Sequence, residues 1–250
     1  MKQCTIIVIT NDKKRCDEFT AGLNTQQNVE YQLLVVESIH GEFCGARQAY
    51  NSVIDLIEYD NVVFCHHDIF FLDNNALENI LMYIDSLDDF GVVGVAGCKH
   101  GEEWEILSTM LHGDGKQLCG TKIDKPTEVQ CVDECFFVMQ KKFVKKYRFT
   151  DMTGWHLYAV EQCVRAEQKE LKNYVVPANM YHASSGNSLD PSYINALLEF
   201  KEVYSVQDGI LNTTVKQWNI KTTKGYLYIK YYYWKQVIKK TLKKLGILKG

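Results

Sequence analysis

Two imidazoles and a carboxylate stand together at His66-His67-Asp68, directly behind the apolar run Asn61–Cys65 and ahead of Ile69-Phe70-Phe71. Alternate residues at a strand end point the same way, so His66 and Asp68 share a face. An imidazole and a carboxylate at that spacing can hold a divalent ion, and such an ion can neutralise a diphosphate. The plainer alternative is a polar strand-end loop with one hydrogen-bonded histidine. Two further strand ends carry polar residues, Thr10-Asn11 and Glu37-Ser38. Convergence of all three ends on one edge would favour a site over a loop.

Positioning these residues is the task of the elements around them. Thr5–Thr10 (TIIVIT), Tyr31–Glu37 (YQLLVVE), Asn61–Cys65 (NVVFC) and Gly91–Gly97 (GVVGVAG) are short apolar runs, the pattern of strands buried on both faces. Between them, helical spacing is expected over Lys13–Leu23, Phe43–Tyr59 and Asn74–Leu87. The alternation predicts an α/β fold with a Rossmann-type, mostly parallel central sheet flanked by helices, and ligands at the carboxyl ends of its strands. No G-x-G-x-x-G follows the first strand, which disfavours a dehydrogenase-type dinucleotide fold. The second half is less regular. It reads as a strand over Val129–Met139 with a bulge near Asp133-Glu134, a helix over Tyr158–Gln168, a short strand at Tyr174–Val176 and a helix over Ser192–Tyr204.

Of the 250 residues, 46% are hydrophobic, enough for one substantial core. The nine cysteines are irregularly spaced with no CxxC pair, which points to free thiols in a reducing cytoplasm. The first residues are too short in their apolar run for a signal peptide, and no stretch reaches the length of a membrane-spanning helix. The net charge of −3 hides an asymmetry: residues 209–250 hold 10 lysines and no acid, leaving 18 basic and 31 acidic residues on residues 1–208. The boundary expected from this is an acidic domain at 1–208 and a basic appendage at 209–250. In the appendage Trp234, Val237, Ile238, Leu242, Leu245 and Leu248 recur at helical spacing among lysines, behind the aromatic run Tyr226–Trp234. Such a helix either lies on an anionic membrane surface or packs its apolar side on the domain. Nucleic acid is disfavoured as a partner, because the acidic body repels phosphates.

Several motifs in order, GARQAYN (Gly45–Asn51), His66-His67-Asp68, Trp155-His156-Leu157-Tyr158 and His182-Ala183-Ser184-Ser185-Gly186, resemble a family 2-type glycosyltransferase of the GT-A kind. Within it they are similar to the small group that includes streptomycin-biosynthesis glycosyltransferase-like proteins. The resemblance covers roughly Thr5 to Tyr204. It implies transfer of a sugar from a nucleotide diphosphate-sugar to an acceptor hydroxyl, assisted by Mn or Mg and inverting. The acceptor implied is a glycan or lipid-linked glycan in cell-surface glycan synthesis, at the inner face of a membrane.

The resemblance also implies roles. Thr10, Asn11 and Glu37 would line the base and ribose pocket, with Asn51 and Asp68 at the spacing of the family's helix Asn and second Asp. His66 falls on the first Asp of Asp-x-Asp, and Asp68, His66 and His182 would approach the metal. The plain alternatives are a solvated strand-end acid for Glu37, a hydrogen-bonded helix residue for Asn51 and a backbone-bonded loop residue for His182. The family's acidic pair is missing from Gly154–Ala166, where Tyr158-Ala159 takes its approximate place. This leaves His156 and Glu161 as candidate bases, with Asp133 and Asp151 nearby in sequence. His156 is preferred for its ordinary pKa, and Glu161 has Arg165 at i,i+4 as a structural partner. One rival is a non-catalytic nucleotide-sugar-binding or scaffold protein on the same fold, supported by the departure from Asp-x-Asp. The other is a metal-dependent hydrolase using His66, His67, Asp68 and His182, which would leave the nucleotide-side strand ends without a task.

Overall fold

The computed structural model describes residues 1–184 and 189–245. Its first part alternates through β1 (Lys2–Thr10), α1 (Lys13–Leu23), β2 (Val29–Glu37), α2 (Ala46–Asn51), β3 (Asn61–His66), β4 (Ile69–Phe71) and α3 (Ala76–Asp85). Eight short strands follow: β5 (Val92–Gly94), β6 (Ala96–Cys98), β7 (Ile106–Ser108), β8 (Leu111–His112), β9 (Gln117–Leu118), β10 (Thr127–Val129), β11 (Cys131–Val132) and β12 (Phe136–Gln140). The chain then forms α4 (Lys141–Lys146), α5 (Tyr158–Glu167), β13 (Asn173–Val175), β14 (Met180–His182), α6 (Pro191–Val203), β15 (Ile210–Asn212), β16 (Gln217–Asn219) and α7 (Thr223–Lys244).

Seven strands make the central sheet, in the order β10-β13-β5-β12-β3-β1-β2. β1 pairs in parallel with both β2 and β3, while β12 runs antiparallel between β3 and β5. Side chains alternate between two cores. Ile7, Val62 and Phe64 face a layer that includes α2, α5 and α6, whereas Ile6, Val8 and Val63 face α1 and α3. Burial on both faces explains why these strands read as continuous apolar runs. Phe64 and Phe137 stack across β3 and β12 with centroids 4.9 Å apart, each ring burial contributing about 1.5–3 kcal/mol.

The expected Phe43–Tyr59 helix is shorter. α2 ends at Asn51, Ser52 Oγ turns back to Ala49 O at 2.6 Å, and Ile54–Leu56 forms a separate 3-10 turn. β-branched Val53 and Ile54 with Asp55 give this stretch little reason to continue as α-helix. Gly91–Gly97 divides into β5 and β6, which belong to different sheets. The expected Val129–Met139 strand breaks at Asp133–Cys135, where Asp133 Oδ1 accepts from Cys135 N at 2.9 Å and makes a local turn. β14 and the β15–β16 hairpin have no counterpart in the sequence reading.

The charge boundary at 208/209 does not coincide with a gap in packing. Trp218 is fully buried, Gln130 Nε2 donates to Ile210 O at 2.8 Å, and Asn212 Nδ2 donates to Lys99 O and Gly101 O, both at 2.9 Å. The basic helix begins eleven residues before Trp234, so the aromatic run is part of it. Leu248, Ser185 and Gly186 lie outside the described residues.

Candidate active site

His66 ends β3, and the chain turns through His67 and Asp68 into β4. β14 lies antiparallel to β4 with His182 opposite Ile69, and Ala183 N donates to Asp68 O at 3.0 Å. This pairing brings His182 Nε2 to 3.2 Å from Asp68 Oδ1, while His66 Nδ1 stands 4.0 Å from the same oxygen. One donor atom from each of His66, Asp68 and His182 lies within 4.8 Å of the others.

The chemistry of this set fits a divalent ion. His182 Nε2 is buried and, despite its proximity to Asp68, has no hydrogen-bond partner among the described residues. His66 Nε2 lies 2.8 Å from Tyr158 Oη, and that hydroxyl donates to Glu134 O at 3.3 Å. With its proton committed to the Glu134 carbonyl, the hydroxyl accepts from His66 Nε2–H, and the Nδ1 lone pair is free to ligate. Desolvation, and then His182, push the His66 imidazole down to about 4, so it is neutral as a metal ligand must be. Burial alone would raise the Asp68 carboxyl, but His182, His66 and His67 hold it well below the usual range.

Two cavities meet at this cluster. A cavity of about 480 Å³ is lined by Asn11, Ser38, His67 and Asp68 together with the rings of Phe43, Tyr50, Trp155 and Tyr158. A second, of about 300 Å³, is lined by His112, Asp133, Glu134, His156, His182 and Thr214 among others. His66 borders both. The three polar strand ends therefore do converge, through Asn11, Ser38 and His66-His67-Asp68. The Ser38 hydroxyl is buried without a partner among the described residues, an acceptor and donor left open beside the larger cavity.

Other expected site residues sit elsewhere. Thr10 is buried and its hydroxyl is used locally, donating to Asp12 O at 2.9 Å. Glu37 is exposed and lines neither cavity; its neighbour Ser38 faces inward instead, because successive strand residues point to opposite faces. Asn51 clamps the backbone of Phe149, donating to its O at 2.8 Å and accepting from its N at 3.2 Å. Glu161 is fully buried against Arg47, accepts from Thr150 N at 2.9 Å, and reaches Arg165 at 3.5 Å. This carboxylate lines neither cavity and is occupied by its ion pairs and hydrogen bonds. His156 does line the smaller cavity, with Nε2 3.1 Å from Ser192 Oγ, and burial pushes its imidazole down.

Sequence reasoning did not single out Glu134, His112 or the Tyr158 hydroxyl. Glu134 comes from the break between β11 and β12. Its Oε1 accepts from Tyr158 N at 2.8 Å, so it caps the start of α5, where an anion is favoured by the helix dipole. Burial and then Asp133 nevertheless raise its carboxyl from the ordinary 4.5 to about 8, against the pull of Arg47 and the Tyr158 and Leu157 backbone. The entry to α5 is strained: Leu157 has φ 62°, a left-handed value that costs roughly 1–3 kcal/mol for such a residue. Just before it, Gly154 has φ +91° and its backbone touches Gly45 so closely that a Cβ on Gly45 would stand 2.2 Å from Gly154 O. The bridge ties the start of α2 to the loop carrying Trp155 and His156.

The model of a family described as "Glycosyltransferase like family" matches residues 4–185. A curated relative from Fuscovulum blasticum, "ATP synthase subunits region ORF 6", is 26% identical over 133 residues, 48% of this chain and 50% of that protein. Among solved structures, S. aureus TarS 1-349 in complex with UDP-GlcNAc is similar at 13% identity with a TM-score of 0.55, over 81% of this chain and 66% of the other. The mannosyltransferase PcManGT from Pyrobaculum calidifontis, in complex with GDP-Man and Mn2+, is similar at 10% identity and a TM-score of 0.54, over 82% and 66%. At these identities the likeness is one of fold. The chain spans about half the length of the curated relative and 66% of each of these two structures.

Proposed function

Starting from the fact that this chain belongs to the glycosyltransferase like family and has a GT-A-type fold, we propose that it transfers a sugar from a nucleotide diphosphate-sugar to an acceptor hydroxyl with inversion. The observation that carries this reading is His66 at the junction of two cavities, one walled by aromatic rings and one by titratable groups. The aromatic cavity would take the nucleoside, with its base against Trp155 or Phe43 and its polar groups at Asn11 and Ser38. The smaller cavity would take the transferred sugar and the acceptor hydroxyl.

His66, Asp68 and His182 would hold a divalent metal, which when bound offsets the charge of the diphosphate leaving group. Two imidazoles and one carboxylate suit Mn better than Mg, which prefers all-oxygen surroundings. Glu134 would act as the base. The acceptor oxygen bonds to the anomeric carbon, the bond from that carbon to the diphosphate oxygen breaks with its electron pair, and the acceptor proton passes to the Glu134 carboxylate. His156, in the same cavity, would orient the acceptor. The Tyr158 hydroxyl holds the His66 ring, and the Gly45–Gly154 bridge holds the loop that presents Trp155 and His156. The acceptor proposed is a glycan or lipid-linked glycan of the cell surface, reached from the cytoplasmic face, and the subgroup proposed is that of the streptomycin-biosynthesis glycosyltransferase-like proteins.

A thermal-shift screen of UDP, GDP and their sugar conjugates with and without Mn tests the reading. A ligand that binds the native state raises its stability by mass action. One nucleotide series should stabilise the protein only with Mn, and slow donor hydrolysis should depend on Asp68. Stabilisation by nucleotide without any hydrolysis or transfer would instead favour a binding protein on the same fold.

A further inference from the structure

α7 has two apolar faces, and among the described residues only one is packed on the domain. Gly225 and Ile229 are buried, and Tyr232 and Tyr233 pack on the core beside them. This face is fastened by Lys216, whose ammonium lies 5.0 Å from the Tyr232 ring centroid and 5.7 Å from that of Tyr228. The opposite face carries Leu227, Tyr231, Trp234, Ile238 and Leu245, which are between 56% and 66% exposed. At 3.6 residues per turn these five fall within an arc of about 60°. Large apolar side chains aligned in one exposed stripe are unusual on a soluble surface and mark an interaction site.

The stripe's borders indicate its partner. Lys224 and Lys235 flank one side, and Lys230 and Lys244 the other. Residues 209–250 contain no acid, although residues 1–208 are strongly acidic. A second copy of this chain would set like-charged lysine borders against each other, whereas an anionic lipid surface matches both the apolar centre and the basic rim. Trp and Tyr are the residues that favour the boundary between headgroups and hydrocarbon. Among the described residues no helix is long and apolar enough to cross a membrane.

We infer that α7 is a docking helix for an anionic membrane: it stays packed on the domain through Ile229 and Tyr232, lies in the plane of the interface, and inserts Leu227, Tyr231, Trp234, Ile238 and Leu245 among the lipids. Attachment has a salt-sensitive part from the lysines and a salt-insensitive part from the stripe. The stripe lies outside both cavities, so its occupancy is separable from donor binding.

The test is cosedimentation of the full chain with vesicles of phosphatidylcholine alone or of equal parts phosphatidylcholine and phosphatidylserine. The wild type should prefer the anionic vesicles, and added salt should weaken the binding. Trp234→Ser with Ile238→Ser should lower the affinity roughly tenfold or more, and Lys224→Glu with Lys244→Glu should weaken the preference for phosphatidylserine. Both variants should keep the wild-type melting temperature, because neither touches the packed face. A wild type that ignores anionic vesicles at low salt, or a stripe variant that binds them as well as the wild type, would overturn the inference. So would a dimer in sedimentation analysis that the stripe variant dissolves, since the stripe would then be covered by a second copy.

Discussion

Glu161 and Glu134 lie at the same end of α5, the first fully buried and the second half-buried. Glu161 meets Arg47, Arg165 and the Thr150 backbone and hydroxyl, so its charge is neutralised and its oxygens are satisfied. Glu134 has a helix N-terminus on one oxygen and the acidic Asp133 beside it, and it borders a cavity. The first arrangement is what a buried charge needs in order to be structural. The second raises the proton affinity of the carboxyl, so its ionised form is a strong proton acceptor whose share grows as pH rises towards 8. On the proposed mechanism, the fully partnered acid belongs to the frame of the site and the partly partnered one is its base.

The contrast breaks first at Glu134. Glu134→Gln should lower turnover by about 10²–10⁴-fold, the usual contribution of a general base, with little change in donor affinity. His156→Ala should cost less. Single-turnover kinetics on both variants decides; near-normal turnover in Glu134→Gln with loss in His156→Ala would move the base to His156. Glu161→Gln should behave oppositely, lowering stability by about 3–5 kcal/mol because Arg47 is left buried and unpaired, with donor affinity retained in the fraction that folds. Urea unfolding reads this directly.

A pH series sharpens the same pair. In the metal-free protein Glu134 holds its proton up to about 8, against an ordinary 4.5, so the folded state binds a proton the unfolded chain has released. Its contribution to stability is therefore full below 4.5 and is lost as pH rises towards 8. Urea unfolding of the wild type and of Glu134→Gln should give a stability difference that shifts in favour of the variant across that window and then levels off. A flat difference would mean that Glu134 titrates normally. The smallest effect belongs to Asn51. Asn51→Ala should cost roughly 1–3 kcal/mol by leaving the Phe149 backbone unpaired, with no change in Mn-dependent nucleotide binding beyond that loss. Calorimetry showing a specific donor defect would return Asn51 to the binding site.

The sheet was legible because β1 and β3 are buried on both faces and so carry unbroken β-branched and apolar runs. The His66–Asp68–His182 cluster was legible in part: His66 and Asp68 are close in sequence, and the rule that ligands gather at strand ends brought Asn11 and Ser38 into view. What could not be read is what depends on distant pairing. Glu161 has a local partner in Arg165, but Arg47, 114 residues away, is the buried one. Glu134 resembled a bulge residue in a continuous strand, and only the turn at Asp133–Cys135 aims it at the cavity. His112 sits beside His182 because β8 and β14 pair, with ring centroids 5.1 Å apart, and no local pattern announces that. In α7, helical periodicity was visible, but which of its two apolar faces the domain uses was not.

The central claim is that His66, Asp68 and His182 would hold, where the two cavities meet, a metal that neutralises the donor diphosphate. Titration calorimetry of the nucleoside diphosphate selected by the thermal-shift screen, with and without Mn, tests it most directly in the wild type and Asp68→Ala. The account predicts Mn-dependent binding to the wild type, its loss in Asp68→Ala, and a metal-free variant that still unfolds cooperatively, at a lower melting temperature because the carboxylate held by His182, His66 and His67 is gone. Equal Mn-dependent affinity in the two proteins would contradict it.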